Sequence, residues 1–372
     1  MADIIFDPTA SIESFADNMN ILSAKNRSVI ILACDANGFT KKLIDPILRE
    51  NTLSVTGGIF PSVIYNDTKY DRGTIFIGLK ENIQINIIKD ISQKNYDKLD
   101  ADMEKQIGNI DKSAKTIFVY IDGLTKHIGK CINVLFDNYG LDINYIGGGT
   151  GSLSFEQKPS LFTSQGLLQD ALVYAHSRAK SSIGVSHGWK SISGPYQVTK
   201  SDTTVLKELD FKPAFEVYKS IVDQYASEPI NTDNFFQIAK SFPFGINTLS
   251  NEKIVRDPII LNGTEMVCVG NVEEGNYVDI LQGKKDALIK AAKNAADISN
   301  ENMDFENDFT LFIDCISRVL FLEEDFSDEI KAVCRNNMPL VGALTFGEIA
   351  NNGKNHLEFF NKTSVVGHIG HG

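Results

Sequence analysis

Long apolar runs are missing from this chain. The longest, such as Val29 to Cys34, are far too short to cross a bilayer. The first residues, MADIIFD, carry no basic stretch ahead of the apolar ones, so no secretory signal is expected. Cysteine is sparse. Cys34, Cys131, Cys268, Cys315 and Cys334 are scattered, and the closest pair lies 19 residues apart. With no CxxC, neither a zinc knuckle nor a disulfide scaffold is expected, and the thiols fit a reducing compartment. Positive charge is also short: 36 Lys and Arg stand against 48 Asp and Glu, a net of −12. That balance argues against duplex nucleic acid or an anionic membrane as the partner. At 42% hydrophobic and 23% charged, the composition is that of an ordinary folded protein, with length for two or three domains. A soluble, acidic, cytoplasmic protein is expected.

A weak repeat is present. Its first copy has the strand VIILACD ending at Asp35, a helix for which Asp45 and Pro46 make a start signal, a strand closing on Gly57-Gly58, and a strand from Gly73. The second has TIFVYID ending at Asp122, and a helix with Ile128, Ile132, Leu135, Phe136 and Tyr139 on one face. A strand running into Gly147 to Gly149 and a segment from Gly166 complete it. The third has TLFIDCISR through Asp314, a helix opened by Ser327, the strand PLVGALTFGE and a last strand, KTSVVGHI. Further helices are expected after Pro213 and over Gly283 to Ile298, and strands over Gly184 to Lys190, Tyr196 to Thr199 and Glu265 to Gly270. The fold class is mixed α/β (α+β): two related halves of strand-helix-strand-strand units, helices packed on mixed sheets, with a break near residues 225–232.

Several residues stand out. Asp35, Asp122 and Asp314 end the first strand of each copy, where they either line a ligand crevice or cap the chain into a helix. IGGGTGS carries Gly147, Gly148, Gly149 and Gly151, a backbone able to approach an anion or to pack tightly in a turn. It lacks the Lys of a phosphate-binding P-loop. SHGW places His187 beside Gly188 and the only tryptophan, Trp189. The histidine is a candidate heme or metal ligand, or a hydrogen-bonded structural residue. Arg318 and Glu348, the latter after Gly347 in TFGEI, make either a buried ion pair or the receptor for the two ends of an amino acid. No HExxH is present, and catalysis is not expected.

These motifs in this order resemble the FIST proteins, whose paired N- and C-terminal FIST domains occur in bacterial signal transduction and in some eukaryotic F-box proteins. The resemblance rests on IGGGTGS, on Ser186 to Tyr218, on DCISR with Cys315 and Arg318, and on Pro339 to Gly353 followed by FFNKTSVVG with Asn361 and Thr363. It implies an N-terminal helical extension over 1–25, a FIST N-terminal domain over 26–226 and a FIST C-terminal domain over 227–372. It also implies a small-molecule sensor rather than an enzyme, with amino acids proposed as ligands for the family. A stand-alone chain of this kind resembles the heme-based nitric-oxide sensors that act on a separate histidine kinase. On that resemblance heme b would be held by His187, or failing that His176, and homo-oligomers are possible. In the rival reading, an amino acid or other metabolite meets Arg318, Glu348, Gly347 and the Gly147 to Gly151 loop.

Overall fold

The computed structural model describes residues 2–107, 111, 113–248, 253–301, 303–335, 338–351 and 356–371. The chain opens with β1 (Asp3–Asp7), α1 (Ile12–Ser23), β2 (Ser28–Cys34), α2 (Lys41–Glu50) and β3 (Ser54–Phe60). The hairpin β4 (Ser62–Tyr65) and β5 (Thr68–Tyr70) follows, then β6 (Thr74–Leu79). The same order returns in β7 (Gln84–Lys89), α3 (Tyr96–Ile107), β8 (Thr116–Asp122), α4 (Ile128–Tyr139), β9 (Asn144–Thr150), β10 (Leu161–Thr163), β11 (Gly166–Leu168) and β12 (Ala171–Ser177). A third unit begins with β13 (Lys180–Ser186) and is interrupted by an insert. The insert comprises β14 (Lys190–Asp202), β15 (Val205–Leu209), β16 (Lys212–Pro213), α5 (Ala214–Val222), α6 (Phe235–Ala239), β17 (Phe244–Ile246), β18 (Ile254–Asn262), β19 (Glu265–Val269) and β20 (Tyr277–Gln282). The unit then resumes with α7 (Lys285–Glu301), β21 (Glu306–Cys315), α8 (Ile316–Leu322), α9 (Phe326–Val333), β22 (Leu340–Thr345), β23 (Glu348–Ala350), β24 (Glu358–Phe360) and β25 (Ser364–His371). The mixed α+β class expected from the sequence is what the chain adopts.

The three sheets share one plan. Their strand orders are β1-β6-β2-β3-β10-β11, β7-β12-β8-β9-β23-β24 and β13-β25-β21-β22-β4-β5. Each contains one parallel pair, β2/β3, β8/β9 or β21/β22. Each is completed by a hairpin from another unit: β10–β11 joins the first sheet, β23–β24 the second, and β4–β5 the third. The exchange is therefore cyclic, and the units are three. The 1–25 segment belongs within the first unit, since β1 pairs with β6 over its whole length and α1 packs on that sheet. Ser11 caps α1 by accepting from the Ser14 backbone N–H at 3.0 Å.

Alternation along each first strand explains the layers. Ile30, Leu32 and Cys34 of β2, Phe118 and Tyr120 of β8, and Leu311 and Ile313 of β21 all enter one common core. The intervening residues face outward onto helices: Val29, Ile31 and Ala33 onto α1 and α2, and Ile117, Val119 and Ile121 onto α3 and α4. Strands buried on both faces read as unbroken apolar runs, which is why the repeat shows in the sequence at all.

Equivalent glycines hold the parallel pairs together. Gly57 lies opposite Ile31, Gly147 opposite Val119 and Gly342 opposite Phe312. A Cβ at these glycines would stand 2.0, 1.8 and 2.1 Å from the carbonyl oxygens of those partners. Aligning the units on these glycines corrects one expectation. Asp314, Asp122 and Asp35 occupy three successive register positions rather than one shared position. Two helix starts differ as well. α2 begins at Lys41, so Pro46 is internal, and Asp45 instead accepts from the Leu167 N–H at 2.9 Å and from Arg49 at 3.0 Å. α9 begins at Phe326, one residue before Ser327.

Candidate functional site

The insert folds into its own seven-stranded sheet, β14-β20-β17-β18-β19-β15-β16, around a separate apolar cluster. Where β18 and β19 face the carboxyl ends of β21 and β22, a cavity of about 390 Å³ opens. α8 starts directly after β21, so Cys315 and Ser317 lie on the cavity floor. The turn after β22 supplies Phe346 and Gly347. The walls are apolar and wet: Leu153, Phe155, Phe236, Ile260 and Leu320 all line it, and all are exposed. A second space of about 480 Å³ shares Phe155, Ile259, Val269 and Phe346 with it and reaches the loop before α4.

The floor is polar. Asp257, 2% exposed, accepts from the Ser317 hydroxyl at 3.0 Å and pairs with the Lys362 ammonium at 3.1 Å, both through Oδ2. Its Oδ1 has no hydrogen-bond partner among the described residues. Lys362 is itself buried. Its Nζ donates to the Lys240 carbonyl at 3.0 Å and sits 4.9 Å from the centre of the Trp189 ring.

Behind this floor the structure gathers most of the residues singled out from the sequence. The Lys362 carbonyl accepts from Trp189 Nε1 at 3.0 Å and from Arg318 Nη1 at 3.1 Å. Arg318 Nη1 also donates to the His187 carbonyl at 2.7 Å, and Nη2 donates to the Leu288 carbonyl at 3.0 Å. Nε donates to Glu329 at 2.9 Å and lies 3.2 Å from Asp314, while Nη2 makes a second contact to Glu329. All five N–H donors of Arg318 are thus spent inside the protein. Burial and the neighbouring Glu329 carboxylate push Asp314 well above the usual carboxylate range.

Glu348 belongs to the same region. It is fully buried, and its two carboxyl oxygens accept from the Thr345 hydroxyl at 3.0 Å and the Thr363 N–H at 3.2 Å. Burial outweighs those bonds and lifts it to about 8. The Cys315 thiol is likewise pushed well up by burial and by Glu348, which leaves it a poor nucleophile.

The glycine segment meets TFGEI through the main chain. Gly148 is paired with Glu348 and Gly147 with Ile349, while the Gly149 N–H donates to the Gly347 carbonyl at 2.8 Å. A Cβ at Gly149 would lie 2.3 Å from the Phe346 carbonyl oxygen, and one at Gly151 would touch the Phe346 ring at 3.0 Å. These glycines let two units approach; of the residues proposed for ligand contact, Gly347 alone lines the apolar cavity.

His187, the candidate heme ligand, is buried and closely packed. Its Nδ1 accepts from the Trp189 N–H at 2.9 Å, and burial with the Arg318 and Lys253 charges lowers it to about 4, so the ring is neutral. Beside it, a Cβ on Gly188 would stand 2.5 Å from the Ala287 carbonyl oxygen of α7. A porphyrin needs open space next to the imidazole, and this packing does not fit one. His176 is also buried, its Nδ1 engaged with Asn86 at 3.1 Å, and burial lowers it to about 4. Among the described residues no group of three or more His, Cys, Asp or Glu is placed to hold a metal ion.

Asp257 was not among the residues picked from the sequence. The available signal was a charged pair, Arg256-Asp257, inside the apolar strand 254–261. Arg256 faces the other way. It is buried and bonded to the Phe359 and Asn271 carbonyls, and it borders a polar pocket of about 560 Å³.

An apolar cavity with a polar floor, set between an inserted sheet and a threefold core, describes a small-molecule binding protein. The FIST N domain model matches residues 7–212 and the FIST C domain model residues 214–351, and the chain belongs to the FIST family. Domains of this family sense small ligands and signal to partners. The two matched regions meet where β16 leads into α5, within the insert, so the insert's sheet combines strands from both. A search of curated proteins finds no match. Among solved structures, the chain is similar to a chorismatase crystal structure at 9% identity, over 100% of this chain and 98% of that one, with a TM-score of 0.34. No helix among the described residues is long and apolar enough to cross a membrane.

Proposed function

We propose that this protein is a cytoplasmic small-ligand sensor whose ligand occupies the cavity between the insert and the third unit. The observation that supports this reading most is the convergence of five exposed, large apolar side chains on one space. Exposed apolar surface of that extent is costly unless something covers it. The insert is tied to the core beside this space by Asp257 with Lys362 and Ser317, and by Arg256 with Phe359 and Asn361. A ligand entering there favours one seating of the insert over another, and a separate signalling protein, such as a histidine kinase, binds the two seatings differently. The reading is of a sensor and not of an enzyme, in keeping with a thiol that burial leaves protonated.

Thermal unfolding of the full chain against amino acids, other small metabolites and hemin tests this. A ligand that binds the folded state raises the midpoint by mass action, and Trp189 emission reports occupancy through Lys362. Both responses are expected to vanish in the double variant Phe155→Asp, Ile260→Asp, whose altered side chains are already at the surface. A ligand that stabilises the variant as well as the parent would overturn the cavity assignment. The nitric-oxide reading, with heme b at His187, requires the packing around Gly188 to open. A Soret band at one heme per chain, shifted by nitric oxide and lost in His187→Ala, would establish it in place of the cavity.

A further inference from the structure

We infer that Asp257 is the anchor for the ligand's polar head, and that the cavity selects an apolar molecule bearing an amine while rejecting carboxylates. This rests on the sensor reading of the same cavity.

The other polar side chains of the floor each have at least one partner already. Ser317 donates to Asp257, and Lys362 divides its ammonium between Asp257 and the Lys240 carbonyl. Asn361 accepts from Arg256 at 3.4 Å through its side chain and from the Thr363 hydroxyl at 2.7 Å through its carbonyl. Oδ1 of Asp257 is the acceptor left over, in a residue almost fully buried. A buried carboxylate oxygen without a partner is unfavourable, and a donor brought by the ligand removes that cost.

Charge narrows the choice of donor. Among the described residues lining the cavity, Asp257 is the only charged side chain, and none of them is a lysine, arginine or histidine. An ammonium makes a charge-assisted bond there, stronger than that of a neutral hydroxyl. A ligand carboxylate would meet a like charge, and Lys362, the cation paired with Asp257, does not line the cavity to offset it. The apolar walls then hold the rest of the molecule. The chemistry points to an amine without a carboxylate, which sets it apart from a free amino acid.

Phenethylamine, 2-phenylethanol, phenylalanine and 3-phenylpropionate share one body and differ in the head, so they separate the two claims. Calorimetric titration of the full chain is expected to rank the amine first, about tenfold or more tighter than the alcohol. 3-Phenylpropionate should give no binding heat, and phenylalanine should be weaker than the amine. Asp257→Asn should cost the amine about tenfold and leave the alcohol within about threefold, since the amide keeps an acceptor but loses the charge. If the variant does not fold, the ranking on the parent protein still decides. Equal binding of all four, abolished together by the Phe155 and Ile260 double variant, would overturn the amine assignment and leave the cavity as the ligand site. A carboxylate bound as tightly as the amine would also overturn it. No binding by any of the four would overturn the head-group assignment, and a failed metabolite panel would then remove the cavity reading separately.

Discussion

Replacing Glu348 by Gln should change how the protein's stability depends on pH. Glu348 is raised from an ordinary 4.5 to about 8, because its buried carboxylate would be desolvated with only the Thr345 and Thr363 bonds to compensate. A carboxyl raised on folding contributes stability that is full below its unfolded value and is lost as pH rises toward its folded value. Between about pH 5 and pH 8 this one group therefore lowers stability by up to ~1.4 kcal/mol for each pH unit, or roughly 4 kcal/mol across the window. Buried histidines act on the acid side. His176, His187 and His368 are each lowered from 6.5 to about 4, so their stability is present at neutral pH and lost as pH falls through that interval. The difference between parent and variant cancels most of this shared background. Urea denaturation at successive pH values reads it directly. The Gln variant should match or fall slightly below the parent near pH 5, then gain on it by roughly 3–4 kcal/mol by about pH 8. Parallel curves would show that Glu348 is ionised in the folded protein at neutral pH, and the desolvation argument would fail.

Two further substitutions probe the interior. Arg318→Lys keeps the charge but supplies three donors where five acceptor contacts are made, so the unfolding free energy from urea denaturation should drop by about 3–5 kcal/mol. A loss under ~1 kcal/mol would mean the guanidinium fork is not what ties these carbonyls together. Tyr120→Phe should be neutral or stabilising by about 1 kcal/mol, because its hydroxyl lies in the common core without a partner among the described residues. A clear destabilisation would reveal a partner for that hydroxyl.

Much of the architecture was legible because of one physical circumstance. β2, β8 and β21 are buried on both faces, so they stand out as apolar runs, each followed by a helical stripe and a glycine-bearing strand. The destinations of the hairpins were not legible. β4–β5, β10–β11 and β23–β24 are short, and nothing in a three-residue strand names its partner sheet. Arg318, Glu348, His187 and Trp189 were visible as unusual residues in apolar surroundings, and the structure joins them around the segment Asn361 to Ser364. What they do could not be read from the sequence, because a buried guanidinium with five internal acceptors and one awaiting a ligand carboxylate look alike on the page. Asp257 escaped notice because its significance lies in one oxygen left over after its neighbours are satisfied, a property of geometry alone.

The cyclic exchange of hairpins has a temporal side. The third sheet is finished by β4, whose Tyr65 lies opposite Val341, so a strand made early waits for one made near the end of the chain. Until β22 appears, the edge of β4 has no neighbour there and the common core lacks the side chains of β21 and β22. Closing so long a loop costs little more than closing a moderate one, since the entropy grows only with the logarithm of its length. It does take time, because pairing between distant segments is slow. The order of synthesis therefore leaves that edge of β4 without its native neighbour until β22 has been made.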